Sequence, residues 1–304
     1  HAIFFNLFNY YSFIILEPIF YFLILLLIFK IFFLILKDYK IAFLSTILLL
    51  LSLEILTFLS TLYNLSYINT NFFYILKIPL AEFYGQRFPH PLVTSVYLFS
   101  YIYIVAKINK SNNLFIKPKY IYLLGIITIL LINSFFFHFI KISIFLLVFS
   151  IYKYKNKFFE MLKVNSSSII IFSILLICGF TILLIQLYFA EDDYSSRLGT
   201  HKINWDEKFF ILQIFIKKLF QIEIIFIIFL SFLARLNYKK LGITANDSLN
   251  YDILFIFFIS CLLSPFIFII FTTTSIYLYY FWSAVKFSGF LFLFVVVIKI
   301  FYNF

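Results

Sequence analysis

Charged residues are scarce in this chain. Asp, Glu, Lys and Arg together make up 12% of its 304 residues, whereas hydrophobic residues make up 64%. A soluble domain usually has roughly 25% charged residues, because its exterior must be polar. A lipid bilayer removes that requirement, so the sequence predicts a polytopic membrane protein of the all-α class.

Cysteine and the familiar catalytic motifs are also nearly missing. The two cysteines, Cys178 and Cys261, lie inside apolar runs and form no CxxC motif or disulfide framework. The chain has no glycine-rich phosphate loop, no HExxH sequence and no Cys/His set with metal-site spacing. We therefore expect no metal and no cofactor. The commonest motif-bearing ATPases and metalloproteases are excluded, although other enzymes are not.

Acidic residues are few, and the basic residues have an uneven distribution that predicts topology. The net charge is +11, but most lysines lie in short segments between apolar runs, so nucleic acid is not an expected partner. Segments 37–40, 107–119, 153–163 and 235–240 together contain thirteen Lys or Arg and two acidic residues. Segments 64–91 and 190–208 together contain five Lys or Arg and six acidic residues. The positive-inside rule places the first set in the cytoplasm and the second outside.

Nine apolar runs predict a transmembrane helical bundle with about nine spans. The charges alternate correctly at every crossing if nine spans are assumed. The chain begins at His1 and is apolar from the start, so we expect a single integral-membrane domain over residues 1–304 that is an N-terminally truncated fragment. The runs are 18–36, with Pro18 opening its helix, and 41–63, 92–106, 120–137, 142–152, 166–189, 209–233, 251–271 and 276–300.

Two parts of this topology stay open at the level of sequence. Residues 120–152 must cross an even number of times but are short for two full spans, so they form either two short helices or a re-entrant hairpin, with His138 and Lys141 between the runs. Asn204 and Glu207 resemble a capping box. Residues 206–221 then form either an interfacial helix or the start of one long tilted span.

The first predicted external loop contains a proline-bounded polar motif, GQRFPHP, at residues 85–91. Proline restricts the backbone there and excludes a regular helix. Arg87 is a candidate for binding a phosphate or carboxylate, and His90 for a general base. The plainer interpretation is that Arg87 reaches lipid headgroups and His90 makes a local hydrogen bond.

The second predicted external loop concentrates the polar residues of the chain. Asp192, Asp193 and His201 are candidate catalytic residues there, and Arg197 is a candidate substrate-binding residue. The plainer interpretation is a solvated acidic loop with an internal ion pair. If the two loops converge, they supply two guanidinium groups and two imidazoles around one site.

Glu54 and Lys286 are predicted to lie inside membrane spans. Charged groups there are costly and often functional, so both are expected to face the bundle interior, and they could form a pair. Each could instead reach an interface or bond to neighbouring polar groups.

With these loops, the chain resembles the polytopic envelope-glycan enzymes of bacteria, namely O-antigen polymerases and ligases and the GT-C glycosyltransferases. The resemblance implies a location in the bacterial inner membrane and a polyprenyl-phosphate-linked sugar donor, a lipid-linked anion. Arg87 and Arg197 would match the donor-phosphate clamp. A base, supplied by His90, His201, Asp192 or Asp193, would activate the acceptor in sugar transfer or polymerisation. The chain lacks the large soluble external domain that such families can carry.

Two other functions stay open. The first is a transporter or flippase for a small or lipid-linked anionic solute, favoured by intramembrane charges but not by any visible repeat. The second is a non-catalytic membrane scaffold, whose partners would be membrane lipids.

Overall fold

The computed structural model describes residues 11–49, 90–110, 114–134, 136–189, 205–271 and 278–303. These residues form α-helices and contain no strand, as the composition predicts. In chain order the described helices are α1 (Tyr11–Leu36), α2 (Tyr39–Leu49), α3 (His90–Asn109), α4 (Pro118–Ser134), α5 (Phe136–Tyr154), α6 (Phe158–Val164), α7 (Ser166–Phe189), α8 (Trp205–Leu219), α9 (Ile222–Leu236), α10 (Ala245–Phe271) and α11 (Leu278–Asn303).

The chain divides into two compact units, His1–Tyr103 and Ile104–Phe304. In the first unit α1 and α2 are joined by a tight turn at Lys37 and Asp38. Lys37 has a φ of 61°, and the Asp38 carboxylate accepts a hydrogen bond from the Ile41 backbone N–H at 3.0 Å, which caps α2. Phe29 packs edge-on against Tyr39, with 5.2 Å between ring centroids.

Helix α1 differs from its prediction at one end. It begins by Tyr11, so Pro18 lies inside the helix and does not open it. Proline removes one backbone hydrogen bond in such a position, but membrane helices tolerate this because neighbouring groups can satisfy the freed carbonyl.

In the second unit, α4 and α5 run antiparallel. Tyr120 near the start of α4 and Tyr154 at the end of α5 line one cavity, so both helices have an end at the same place. The helices contain 17 and 19 residues, which is about 26 and 29 Å at 1.5 Å per residue. These lengths are close to the hydrocarbon thickness of about 30 Å and favour two short spans.

The predicted boundary between these two helices was wrong. His138 and Lys141 were expected between the apolar runs, but both lie within α5 and are buried. Helix α4 ends at Ser134 and α5 begins at Phe136, several residues earlier than predicted. An uncharged Phe-rich stretch gives no turn signal, so the polar residues were mistaken for the boundary.

Helix α7 runs parallel to α4 and contacts it closely. A Cβ atom added at Gly125 of α4 would lie 2.5 Å from the Leu175 side chain, and one at Gly179 would lie 3.1 Å from Ile132. The Asn133 side chain donates a hydrogen bond to the Gly179 carbonyl at 3.3 Å. Glycines at these two positions allow the helices to approach, as is usual in membrane bundles.

Helix α10 packs antiparallel to both α5 and α11. Ring pairs mark this register: Phe145 with Phe257 at 5.6 Å, and Phe255 with Phe292 at 5.4 Å between centroids. Helices α8 and α9, which precede α10 in the chain, are separate helices, and their axes are bent by 62° relative to each other. This bend argues against one straight tilted span over 206–233, while the interfacial placement of α8 stays a prediction.

Five described helices are long and apolar enough to cross a membrane, or six if α8 and α9 count as one bent span. Three shorter apolar helices, Tyr39–Leu49, Val93–Asn109 and Pro118–Ser134, accompany them. The chain is therefore a polytopic helical membrane protein. The predicted number of nine spans is not confirmed.

Candidate functional site

One end of the second unit brings together three of the basic segments that were predicted to share a side of the membrane. The Lys153 ammonium donates a hydrogen bond to the Ile108 carbonyl at 2.6 Å, at the C-terminal end of α3. The Asn109 amide donates to the Leu249 carbonyl and to Asn250 Oδ1, at 3.1 and 3.2 Å. A cation at a helix C-terminus compensates the helix dipole. The ends of α3, α5 and α10 are thus fastened to one another.

Asn165, between α6 and α7, fixes the segment that follows α3. Its side-chain oxygen accepts a hydrogen bond from the Ile116 N–H at 2.8 Å, and its amide donates to the Leu114 carbonyl at 2.8 Å. The amide also donates to the Met161 carbonyl at 2.7 Å. The side chain is buried, so these bonds satisfy groups that would otherwise be costly. Backbone 114–116 is consequently held beside α7.

These fastenings shape a basic cavity of about 350 Å³. Lys107 lies in the last turn of α3, Lys110 follows directly after that helix, and Lys117 comes from the segment held by Asn165. Three of the residues that line it are lysines, and none of the described lining residues is acidic. The lining is Lys107, Ile108, Lys110, Phe115, Ile116, Lys117, Tyr120 and Tyr154.

Tyr154 lines this cavity, and its hydroxyl is buried. Its side chain is only 7% exposed, and its ring lies under the Lys153 ammonium at 5.3 Å. The hydroxyl oxygen has no hydrogen-bond partner among the described residues. Buried polar groups are usually bonded, so an unpaired hydroxyl of this kind is unusual.

A buried ion pair lies at the same end of the unit. Arg235 of α9 contacts both carboxylate oxygens of Asp252 on α10, with Nε 2.5 Å from Oδ1 and Nη2 3.0 Å from Oδ2. The Tyr152 hydroxyl donates to Asp252 and accepts from Arg235 at 2.7 Å. This network ties α5, α9 and α10 together.

Tyr238, which is buried, packs against the arginine of that pair. The guanidinium of Arg235 lies over its ring at 4.9 Å, a cation–π contact. Burial, and next the nearby Asp252 carboxylate, raise the pKa of Tyr238 above its ordinary value. Tyr238 therefore stays neutral at physiological pH and adds no charge to the network.

Deeper in the bundle, α5 carries a buried cation. Lys141 is 1% exposed and His138 is 6% exposed. Lys141 lies near Cys261 of α10, which is itself near Ser288 of α11. Lys141 precedes Lys153 by twelve residues, which is about 18 Å along the helix axis.

Most residues proposed from the sequence lie outside the described part of the chain. This applies to Glu54, Arg87, Asp192, Asp193, Arg197 and His201. His90 is the first residue of α3, but its side chain is not described. Lys286 lies within α11 and is half-buried. The convergence of the external loops and the pairing of Glu54 with Lys286 stay predictions.

Sequence reasoning missed the groups that the fold assembles. Lys107, Lys110 and Lys117 were read only as topology signals, and Asp252 was overlooked. One signal was available: Asp252 stands alone as an acid in a long apolar run, as Lys141 does as a cation. Intramembrane charges of this kind are functional candidates by default.

Comparison of the chain with protein-family models, with curated proteins and with solved structures gives no match. Function must therefore be argued from the chemistry of these groups.

Proposed function

We propose that the protein moves an anionic solute, small or lipid-linked, across the membrane. The observation that supports this is the burial of Lys141 within a transmembrane helix, where it is 1% exposed. Lys141 lies in the second turn of α5, and a cation within a membrane helix is costly, up to about 2.5–3.5 kcal/mol at the helix centre on insertion scales. A membrane helix can avoid that cost with an apolar residue, so a buried lysine there is a candidate for the binding of an anion in transit.

The surroundings of Lys141 fit such a route. His138 lies one helical turn away, and serines at 260, 264 and 288 are fully buried on α10 and α11. Each of these serines donates its hydroxyl proton to a carbonyl of its own helix, so the hydroxyl oxygen keeps capacity to accept or to contact a passing group. The interior is thus more polar than lipid contact requires.

A second candidate is the envelope-glycan enzyme with a polyprenyl-phosphate-linked donor at the external face. It is favoured by the concentration of Arg, His and carboxylate side chains in segments 64–91 and 190–208. The two proposals overlap where the transported solute is lipid-linked. They differ in whether that substrate crosses the membrane or reacts at its outer surface.

The test is reconstitution into proteoliposomes that contain a fluorescently labelled polyprenyl phosphate, with an impermeant quencher outside. The wild-type protein should increase the fraction of label that exchanges between leaflets. Lys141→Met should reduce that rate by about tenfold or more, because a loss of 1.4 kcal/mol in the transition state is a factor of ten. Ser143→Met is the matched control, since Ser143 is exposed on the same helix.

Thermal unfolding separates function from folding. Lys141→Met should still unfold in a cooperative thermal transition, which shows that the variant is folded. Equal exchange in the wild type and Lys141→Met would contradict the transport proposal. If the same vesicles instead elongate a lipid-linked sugar on the outer face without exchange, the enzyme proposal replaces it.

A further inference from the structure

We propose that the part of α10 that follows Pro265, residues 266–271, acts as a gate over Lys141, with Phe268 as the side chain that closes it. The inference rests on the proposed transport function for its purpose, because an anion in transit must reach a lysine that is buried in this structure. Its support comes from the contacts between α5 and α10, and it can be tested without a transport assay.

Lys141 lies between two pairs of aromatic rings. On α5, Phe137 precedes it by about one helical turn and Phe145 follows it by about one turn. Phe137 packs against Phe268 of α10 at 4.4 Å between ring centroids, and Phe145 packs against Phe257 at 5.6 Å. All four rings are buried, and Lys141 itself is 1% exposed. The two ring pairs therefore close off the lysine from both directions along the contact between α5 and α10.

Pro265 makes the two ring pairs unequal. A proline has no backbone N–H, so the helical hydrogen bond from residue 265 to the Cys261 carbonyl cannot form. The Ser264 hydroxyl donates to that carbonyl instead, at 2.9 Å. The carbonyl keeps this partner when the helix bends, because Ser264 lies before the proline. Phe268 lies three residues beyond the proline, whereas Phe257 lies on the uninterrupted part of α10.

A bend at Pro265 would open one ring pair only. Proline is a usual site of helix bending, because it removes a hydrogen bond and its ring crowds the preceding turn. Movement of residues 266–271 would separate Phe268 from Phe137 and uncover Lys141 from that direction, while the other ring pair stayed closed. The opposite end of α10 is fastened to α3 by two hydrogen bonds, so the movable end is the one that carries Phe268.

Cys261 is a natural reporter of this gate, because it is fully buried and lies near Lys141. The experiment measures how fast a charged methanethiosulfonate modifies Cys261 of the full chain in lipid nanodiscs. Cys178, which is exposed, is replaced by serine in all samples. A buried thiol reacts only while the gate is open, and such minor states are about 0.1–10% populated, so Cys261 should react about ten to a thousand times more slowly than in protein unfolded in SDS.

Two variants act directly on the gate. Phe268→Ala removes the closing ring and should raise the modification rate about tenfold, as expected for the loss of one aromatic pair. Pro265→Ala restores the backbone hydrogen bond to the Cys261 carbonyl and should lower the rate about fivefold. The matched control is Phe257→Ala, which removes a ring from the uninterrupted part of α10 and should raise the rate much less. Phe268→Leu should change the rate in the same direction as Phe268→Ala, and it replaces that variant if thermal unfolding shows that the alanine variant is not folded.

Three results would overturn the gate: an equal rise in Phe257→Ala and Phe268→Ala, no modification of Cys261 in the folded Phe268 variants, or an unchanged or higher rate in Pro265→Ala. The first result would show a general loosening of the helix interior.

The gate and the transport proposal can fail separately. The expected rates in a protein that exchanges no labelled lipid between leaflets would support the gate and contradict transport. Exchange of the label by a protein in which neither Phe268→Ala nor Pro265→Ala changes the modification of Cys261 would overturn the gate alone.

Discussion

At the scale of single residues, the Arg235–Asp252 pair is unequal in its exposure. Asp252 is 1% exposed, whereas the Arg235 side chain is 31% exposed. A buried ion pair adds little net stability, but the loss of one partner leaves the other charge buried and uncompensated. The two partners should therefore differ in what their removal costs.

We predict that Arg235→Gln destabilises the protein more than Asp252→Asn does. Arg235→Gln strands the buried carboxylate and should cost about 3–5 kcal/mol, whereas the arginine left by Asp252→Asn can turn toward water. Unfolding of each variant in mixed detergent micelles measures the difference. The double variant should recover part of the loss, and a double variant less stable than Arg235→Gln would contradict the argument.

The same residues show how far sequence can predict a site. Arg235 was recognised as basic and assigned to a cytoplasmic segment, but its partner lies 17 positions away on the next helix. Pairing across helices depends on register, which apolar periodicity cannot supply in an all-round hydrophobic helix. Lys141 was likewise visible as a cation, while its burial depends on where α4 ends.

At the scale of helices, composition predicted some bounds well and others poorly. The run 166–189 matches α7, Ser166–Phe189, because polar segments flank it on both sides. The sequence left open whether α8 and α9 are separate helices or one long span, because no proline or glycine marks the break between them. Gln221 interrupts the helix with an extended backbone, φ −65° and ψ 134°.

Close helix contacts provide a prediction at this scale. A Cβ atom on Gly289 of α11 would overlap Ile227 of α9 and lie 3.0 Å from Phe258 of α10, whereas one on Gly179 would meet nothing nearer than 3.1 Å. Gly289→Ala should therefore lower stability by about 1–3 kcal/mol, the usual cost of overpacking. Gly179→Ala is the control and should change stability less, and the reverse order in thermal unfolding would refute this packing.

At the scale of the whole molecule, the contacts agree with the charge-based topology in one respect. Segments 107–119, 153–163 and 235–240 adjoin the same cluster of helix ends. The positive-inside rule predicted this grouping because it depends on charge in short segments and not on the packing of helices. Assignment of this side to the cytoplasm is a prediction.

Cysteine labelling tests that assignment. In a background with Cys178 and Cys261 replaced, cysteines at Lys157 and Lys240 should both resist an impermeant maleimide in intact cells and react after lysis. A cysteine at Ser195 should react in intact cells. Labelling of Lys157 and Lys240 in intact cells would invert the topology, and opposite behaviour of the two would break the shared side.

The antiparallel α4–α5 pair also has a consequence for biogenesis. Residues 120–140 contain no Asp, Glu, Lys or Arg, so the leading tip of the hairpin bears no formal charge when His138 is neutral. Such a tip can pass through the bilayer without the cost of translocating an ion. The pair should leave the translocon as one inserted hairpin, and a lysine placed at Ser134 should delay that step.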